Sequence, residues 1–377
     1  MMRVGFLLNH EAPHQVLHAA PVAAGLSRRH GHAVVLLTAG PAVEAVLERV
    51  LSLYPDHRCR SIRLAVPTPV RWGAAALKPA VHAGKAARLR LNRDKLAACD
   101  AVVTPEKTSL ALRDDPALRH LVMIHTRHGA GDRAVGFDAR ASRFDLVLAA
   151  GEKVRERLIT EGGVAADRCR VVGYPKFDVA PQLARPTRPF ADDRPVVLYN
   201  PHYSNRESSW PRWGRRVLDF FRESPAYNLI FAPHPVLYSR PLRHRARPLQ
   251  RWRGRHGIHV DTGSDACFDM SHVLAADIYL GDVSSQVYEF LWRPRPCVFL
   301  DAHDLTGSEP AANLAMWRAG EVVRDIDQLP AALDRARGAP SAYRAEQDAL
   351  FAATFDHDPD TPAGARAADV IAGFLHR

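Results

Sequence analysis

Short apolar runs alternate along the chain with longer segments in which apolar positions recur every three or four residues. "RVGFLLN" (Arg3 to Asn9) is one such run, "HQVLHAAPVAAGLSRRHGH" carries a helical spacing that ends near Gly31, and "AVVLLTA" (Ala33 to Ala39) is the next run. Strand, helix and strand at this spacing predict a βαβ unit and hence a parallel sheet. The alternation continues with "AVEAVLERVLSLY" as helix, "CDAVVTPE", "HLVMIHT" and "FDLVLAAG" as strands, and "EKVRERLITEG" as helix. A Rossmann-like, doubly wound α/β domain over residues 1–184 follows from this pattern.

"RPTRPFADDRP" (Arg185 to Pro195) breaks the alternation with prolines and charges and few apolar groups, as a linker does. Beyond it come "VVLYNPH", a helix around "WGRRVLDFFRES", then "YNLIFAPHP", "GIHVDTG", "AADIYLGD", "SQVYEFLW" and "PCVFLDA". These predict a second α/β domain over residues 185–345. A terminal helical segment, 346–377, is interrupted by "DHDPDTPAG" and is expected to pack back on the first domain. A length of 377 residues agrees with two domains, because single cores stop growing at smaller sizes.

Composition narrows the class further. With 47% hydrophobic and 24% charged residues the chain has the make-up of a folded globular protein. The first apolar run, Val4 to Leu8, is too short for a secretory signal, and no segment approaches the roughly 18 to 20 apolar residues of a membrane span. The five cysteines are odd in number and far apart, so a reduced, cytoplasmic protein is expected. The net charge of +10 rests on 51 basic residues, nearly all of them Arg, whose planar fork suits phosphate. Genome composition explains the Arg bias equally well. Two basic stretches, residues 71–95 and 239–256, are candidates for an anionic membrane surface on the inner face of the plasma membrane, against the plain reading of solvated surface.

Ligands of doubly wound sheets bind beyond the carboxyl ends of the strands, and candidate chemistry gathers at four such ends. After "HLVMI" the chain reads "HTRHGAGD", with His128 among glycines that allow close backbone approach and an imidazole that accepts a proton near neutrality. A plain glycine turn is the competing reading. "VVGYPKFD" places Lys176 after a short strand, a weak phosphate signal, and "LIFAPHP" ends a strongly apolar strand on His234. "DIYLGDVSSQVYEFLW" brings Asp282, Ser284 and Ser285 to a helix N-terminus, an anion site by its amides and dipole, with Glu289 one turn further in. An ordinary N-cap at Ser284 accounts for one serine only. Walker, dinucleotide-fingerprint, zinc-protease and nucleophile-elbow motifs are missing.

Taken in order, "RHGAGD", "GYPKFD", "YNPHYS", "APHP" and "GDVSSQVYEF" resemble the signature segments of the CDP-glycerol glycerophosphotransferase family, the teichoic-acid primases and polymerases. The resemblance covers roughly residues 120–300, with a weaker echo in "DTPAGARAADVI". It implies a GT-B fold, two Rossmann-like domains facing across a cleft, with the nucleotide held mainly by the second. It further implies that His128 is the base that activates an acceptor hydroxyl and that His234 holds or protonates the phosphate. Ser284 and Ser285 would bind the pyrophosphate, Glu289 the ribose, and Lys176, Asn200, His202 and Asp282 would complete the donor site. Arg127 stands where the family often has Trp, and "YNPHYSNRESSW" departs from its commoner aromatic and Arg residues.

The expected activity is transfer of glycerol phosphate from CDP-glycerol to a hydroxyl of a membrane-linked saccharide or polymer, with release of CMP; no resident cofactor is required, and the sequence does not imply a metal. A GT-B glycosyltransferase using a UDP- or GDP-sugar in cell-surface polysaccharide synthesis is the alternative. A nucleic-acid partner is not expected, because the histidines and serines gather at strand ends while the Arg-rich stretches lie elsewhere.

Overall fold

Parallel sheets are covered by helices on both faces, so their strands read as continuous apolar runs, and the runs of this chain become such strands. The computed structural model describes residues 1–10, 13–66, 80–238, 248–254 and 256–376. These fall into two compact units. The first comprises Met1–Gly129, Phe137–Leu183 and Ala353–Arg377; the second comprises Ala130–Gly136 and Ala184–Ala352.

In the first unit the strands are β1 (Arg3–Leu8), β2 (Ala33–Thr38), β3 (Arg60–Arg63), β4 (Ala101–Thr104), β5 (Val122–His125), β6 (Leu146–Ala149) and β7 (Cys169–Val171). They form one sheet in the order β3-β2-β1-β4-β5-β6-β7, with every pairing parallel. The second unit repeats the plan with β8 (Val196–Asn200), β9 (Asn228–Phe231), β10 (Ile258–Val260), β11 (Ile278–Gly281), β12 (Cys297–Leu300) and β13 (Glu321–Val323). Its order, β10-β9-β8-β11-β12-β13, is again all parallel. Each sheet reverses its winding once, between β1 and β4 and between β8 and β11, and at such a switch the strand ends diverge to leave room for a ligand.

The edge strands β3 and β13 were not legible as apolar runs. β3 reads Arg-Ser-Ile-Arg with three of its four residues exposed, and β13 has only three residues. Residues 130–136 also depart from the expected division at 184, since they group with the second unit. Asp132 is the reason: it is fully buried, and its carboxylate accepts hydrogen bonds from the Tyr288 hydroxyl and, at 3.2 Å, from the Met316 amide. The terminal segment is two helices, Arg344–Thr354 and Ala363–Leu375, and the division between units falls inside the former.

Helix Val16–Arg29 is buried almost all round, which its small and apolar composition permits. Helix Ala363–Leu375 lies on it so closely that a Cβ built on Gly364 would sit 2.8 Å from Pro21 Cβ. Asp178 closes the N-terminus of that helix by accepting from the amides of Ala363 at 3.0 Å and Gly364 at 2.7 Å.

Residues 71–79, 239–247 and 255 of the two basic stretches lie outside the described residues. Within the remainder of the first stretch, Lys85 and Arg88 turn inward to Glu106 and Asn9 rather than to a surface. Among the described residues no helix is long and apolar enough to cross a membrane. All five cysteines are free.

Replacing Gly364 by Leu should destabilise the protein by about 1–3 kcal/mol, the usual cost of overpacking a tight helix contact. The midpoint of denaturant unfolding measures it, and an unchanged midpoint would contradict the packing described.

Candidate functional site

In the second unit Gly281 of β11 pairs with Asn200 of β8, so the chains leaving both strands emerge side by side at the switch. Asp282 follows immediately and is fully buried. Its carboxylate accepts from the amides of His202 and Ser209, both at 2.9 Å, and from the Ser209 hydroxyl at 2.5 Å. Burial lifts its pKa to about 7 while these donors pull the other way. Asp282 therefore ties the segment leaving β8 to the one leaving β11, and both its oxygens are already engaged, in contrast to its expected donor contact.

Ser284 Oγ donates to Asn200 Oδ1 at 3.2 Å and accepts from the Gln286 amide at 3.3 Å. Asn200 gives its own NH₂ to the Ala232 carbonyl at 2.6 Å. Ser285 is exposed and caps the following helix without a side-chain bond. That helix is Gln286–Phe290, shorter than "QVYEFLW" suggested, so its dipole offers less to an anion than expected. Glu289 is buried within it. Gly131 packs directly over Ser285, where a Cβ would approach Ser285 Cβ to 3.0 Å, so the glycine permits the contact.

Beside this loop His202, Tyr203 and His234 form an aromatic group, with ring centroids 4.3 Å apart for His202 and Tyr203 and 4.7 Å for Tyr203 and His234. Arg133 reaches the same place: its guanidinium pairs with Glu207 at 2.7 Å, lies 3.3 Å from His202 Nε2 and donates to the Tyr203 hydroxyl at 3.4 Å. Burial, then the Arg133 and His234 charges, depress the His202 pKa to about 2, so this ring is neutral. His234 Nδ1 accepts from the Val236 amide at 3.3 Å, which leaves the proton on Nε2. A cavity of about 160 Å³ adjoins Arg133, Glu207 and Val283.

The first unit builds a separate group at its own switch. Glu106, just beyond β4, is buried and accepts from Lys85 at 2.5 Å, Gln15 at 2.8 Å and Thr108 at 2.8 Å. Burial alone would raise its pKa, yet the Lys85 charge and these donors hold it at about 2. Next to it His128 Nδ1 lies 2.7 Å from the Pro105 carbonyl. A carbonyl only accepts, so Nδ1 carries the proton and Nε2 keeps its lone pair. The ring reaches solvent, but desolvation by its surroundings is the largest influence on its pKa and holds it below the ordinary imidazole value. His14 lies edge-on to His128 at 5.5 Å.

Arg127, directly before His128, has φ 58°, a left-handed conformation that costs a non-glycine residue roughly 1–2 kcal/mol and that tertiary contacts must sustain. Its guanidinium rests over Phe137 at 4.9 Å. Lys176 is buried in the first unit at the start of helix Lys176–Leu183, where its charge helps to depress the His18 pKa. It lies in a different unit from Asn200, His202, His234, Asp282, Ser284, Ser285 and Glu289.

Residues 94–371 match the family described as CDP-Glycerol:Poly(glycerophosphate) glycerophosphotransferase. The chain belongs to this family. Among solved structures, the wall teichoic acid polymerase TagF is similar over 99% of this chain and 88% of its own, with a TM-score of 0.63 and 14% identity. MnaA from S. aureus with UDP is similar over 100% and 97%, with a TM-score of 0.64 and 14% identity. UDP-GlcNAc 2-epimerase from Neisseria meningitidis bound to UDP-GlcNAc is similar over all of both chains, with a TM-score of 0.57 and 15% identity. A TagF variant soaked with CDPG gives a TM-score of 0.63 at 14% identity, over 100% of this chain and 88% of its own. At these identities the likeness establishes the fold, which is of the GT-B class. No curated protein matches the sequence.

Several groups at these strand ends were not singled out by the sequence. Asp132 ended the segment "RHGAGD", with Arg133 directly after it, and Glu106 closed the strand run "CDAVVTPE". Lys85 and Glu207 carried no local signal, because only tertiary contacts bring them to Glu106 and Arg133.

His202 supplies a test of this electrostatic account. Its folded pKa lies below the unfolded imidazole value of 6.5, so its contribution to stability is complete above about pH 6.5 and is lost as the pH falls, when the unfolded chain takes up the proton first. Unfolding midpoints measured from pH 7.5 down to about 4.5 should therefore decline more steeply for the wild type than for His202→Gln. Equal slopes would show that His202 is not held neutral.

Proposed function

We propose that the chain transfers glycerol phosphate from CDP-glycerol to a hydroxyl of a membrane-linked saccharide or polymer, releasing CMP. The observation that carries the reading is the opposite protonation of two histidines. His128, with its proton on Nδ1, presents a basic Nε2, and His234, with Nδ1 occupied, presents an Nε2–H donor. A base and a hydrogen-bond donor are the pair that an in-line phosphoryl transfer uses.

In this scheme His128 Nε2 takes the proton of the acceptor hydroxyl as its oxygen attacks the phosphorus that bears glycerol. The bond from that phosphorus to the bridging oxygen breaks, and CMP departs with the electron pair. His234 Nε2–H and Arg133 steady the negative charge on the departing phosphate, and Ser285, exposed at the switch, is the serine available to the pyrophosphate. Ser284 acts through Asn200 by holding the loop in place. Asp282 positions rather than binds, and Lys176, buried elsewhere in the first unit, takes no part. Productive transfer requires His128 to come within hydrogen-bond reach of the acceptor, roughly 3 Å. Family membership and the GT-B likeness to a polymerase soaked with CDPG support the choice of donor.

His128→Ala should lower turnover by about 10²–10⁴ while donor affinity stays near that of the wild type, the pattern of a lost general base. Normal turnover with weakened donor binding would overturn the assignment. A thermal-shift screen addresses the donor separately: cytidine nucleotides should raise the melting temperature most. A larger rise with uridine or guanosine nucleotides would replace this reading with that of a sugar-nucleotide glycosyltransferase.

A further inference from the structure

β10 lies at the edge of the second sheet, separated by β9 and β8 from the switch beside β11. At its carboxyl end His259, Asp261 and His272 each offer one ligating atom, and the three atoms lie within 4.8 Å of one another. His259 and Asp261 are two positions apart on extended chain and so leave it on the same face. His272 enters from the first turn of the short helix Ser271–Ala275.

The carboxylate is already aimed. Asp261 Oδ1 accepts from the amides of Gly263 at 3.0 Å and Ser264 at 2.9 Å, while Oδ2 meets the Ser264 hydroxyl and, at 2.7 Å, His272 Nε2. Both side chains of the Asp261 and His272 pair are about nine-tenths buried, at 10% and 9% exposure. An Asp and His pair of this kind closes a loop without help from a third residue. His259 is the feature that such a closure leaves unexplained: it is half-buried, its ring centroid lies 5.8 Å from that of His272, and its ring makes no hydrogen bond among the described residues.

We infer that His259, Asp261 and His272 form a binding site for a divalent first-row transition metal of the zinc class, with solvent completing the coordination. Two imidazoles and one carboxylate are a donor set such ions take, at bond lengths of about 2.0–2.2 Å. Those lengths place tetrahedral donor atoms roughly 3.3 Å apart. The Asp261 and His272 atoms therefore separate by a few tenths of an ångström as the ion takes the place of the shared proton. That proton moves to His272 Nδ1 through solvent, and the His259 ring turns inward. The two amides on Asp261 Oδ1 serve as the outer shell that orients a ligating carboxylate. A pocket of about 450 Å³ with His259 and Arg253 in its wall supplies a way in. Arg253 is a cation facing His259 and weighs against the ion, so it moderates the affinity.

The site lies on the segment that Gln286 grips through the Cys267 carbonyl at 3.1 Å, directly after Ser285. A bound ion would brace that segment from its other end. The inference does not rest on the phosphotransfer reading, and its test reads metal binding alone.

The full-length protein, stripped with a chelator, is titrated with Zn²⁺ in a calorimeter and with Co²⁺ by visible absorption. One equivalent should bind with the spectrum of a nitrogen and oxygen site, and Zn²⁺ should raise the melting temperature. His259→Ala removes no hydrogen bond, so the metal-free variant should melt as the wild type does, yet bind more than about tenfold more weakly and lose the metal-dependent rise. Arg253→Ala should bind more tightly. Failure of the wild type to bind one equivalent, thiolate charge-transfer bands with Co²⁺, or undiminished affinity in His259→Ala would each overturn the assignment.

Discussion

The buried carboxylate of Asp282 is the interaction on which the second unit's site depends. A carboxylate withdrawn from water costs several kcal/mol unless its oxygens are met by donors, and here the His202 amide, the Ser209 amide and the Ser209 hydroxyl meet them. Those donors belong to the segment that leaves β8, while Asp282 itself leaves β11. Satisfying one charge thus fixes two strand ends against each other, and the positions of His202 and Ser284 follow. Trp317 adds a third tie by donating to the Asp282 carbonyl at 3.3 Å.

The first unit uses the same device with different residues. Glu106 follows β4, the strand that sits beside β1 at the other switch, and gathers Lys85, Gln15 and Thr108 around it. His128 is oriented by the carbonyl of Pro105, the residue directly before Glu106. In both units an acid just past the fourth strand organises the loops, and an imidazole is oriented by backbone near it. The acids do not touch the reacting groups in the proposed scheme. Their work is to hold, in a low-dielectric setting, loops whose own turns would otherwise allow many arrangements.

Desolvation favours the neutral form of several imidazoles. His128, His202 and His125 all have pKa values below the ordinary imidazole range, with burial the leading cause for each. Neutral imidazoles accept or donate according to which nitrogen the backbone occupies, and the Pro105 carbonyl and the Val236 amide make opposite choices for His128 and His234. Local backbone geometry thereby sets which nitrogen of each ring carries the proton, a distinction that no local sequence pattern makes.

The order of apolar runs determined the parallel α/β architecture, because a strand buried on both faces has few other ways to read, and "VGFLL", "AVVLL" and "LIFA" read so. The strand ends, and with them His128, His234 and Ser284, were legible for the same reason. Edge strands β3 and β13 were not, since half-exposed strands need no apolar run. Neither the membership of residues 130–136 in the second unit, nor the pairs Lys85 with Glu106 and Arg133 with Glu207, nor the meeting of His259, Asp261 and His272 was written in any local pattern. Each brings separate segments of the chain together through a hydrogen bond or ion pair, or through proximity, that becomes favourable only once packing has removed water and fixed both partners. Tertiary structure alone decided them.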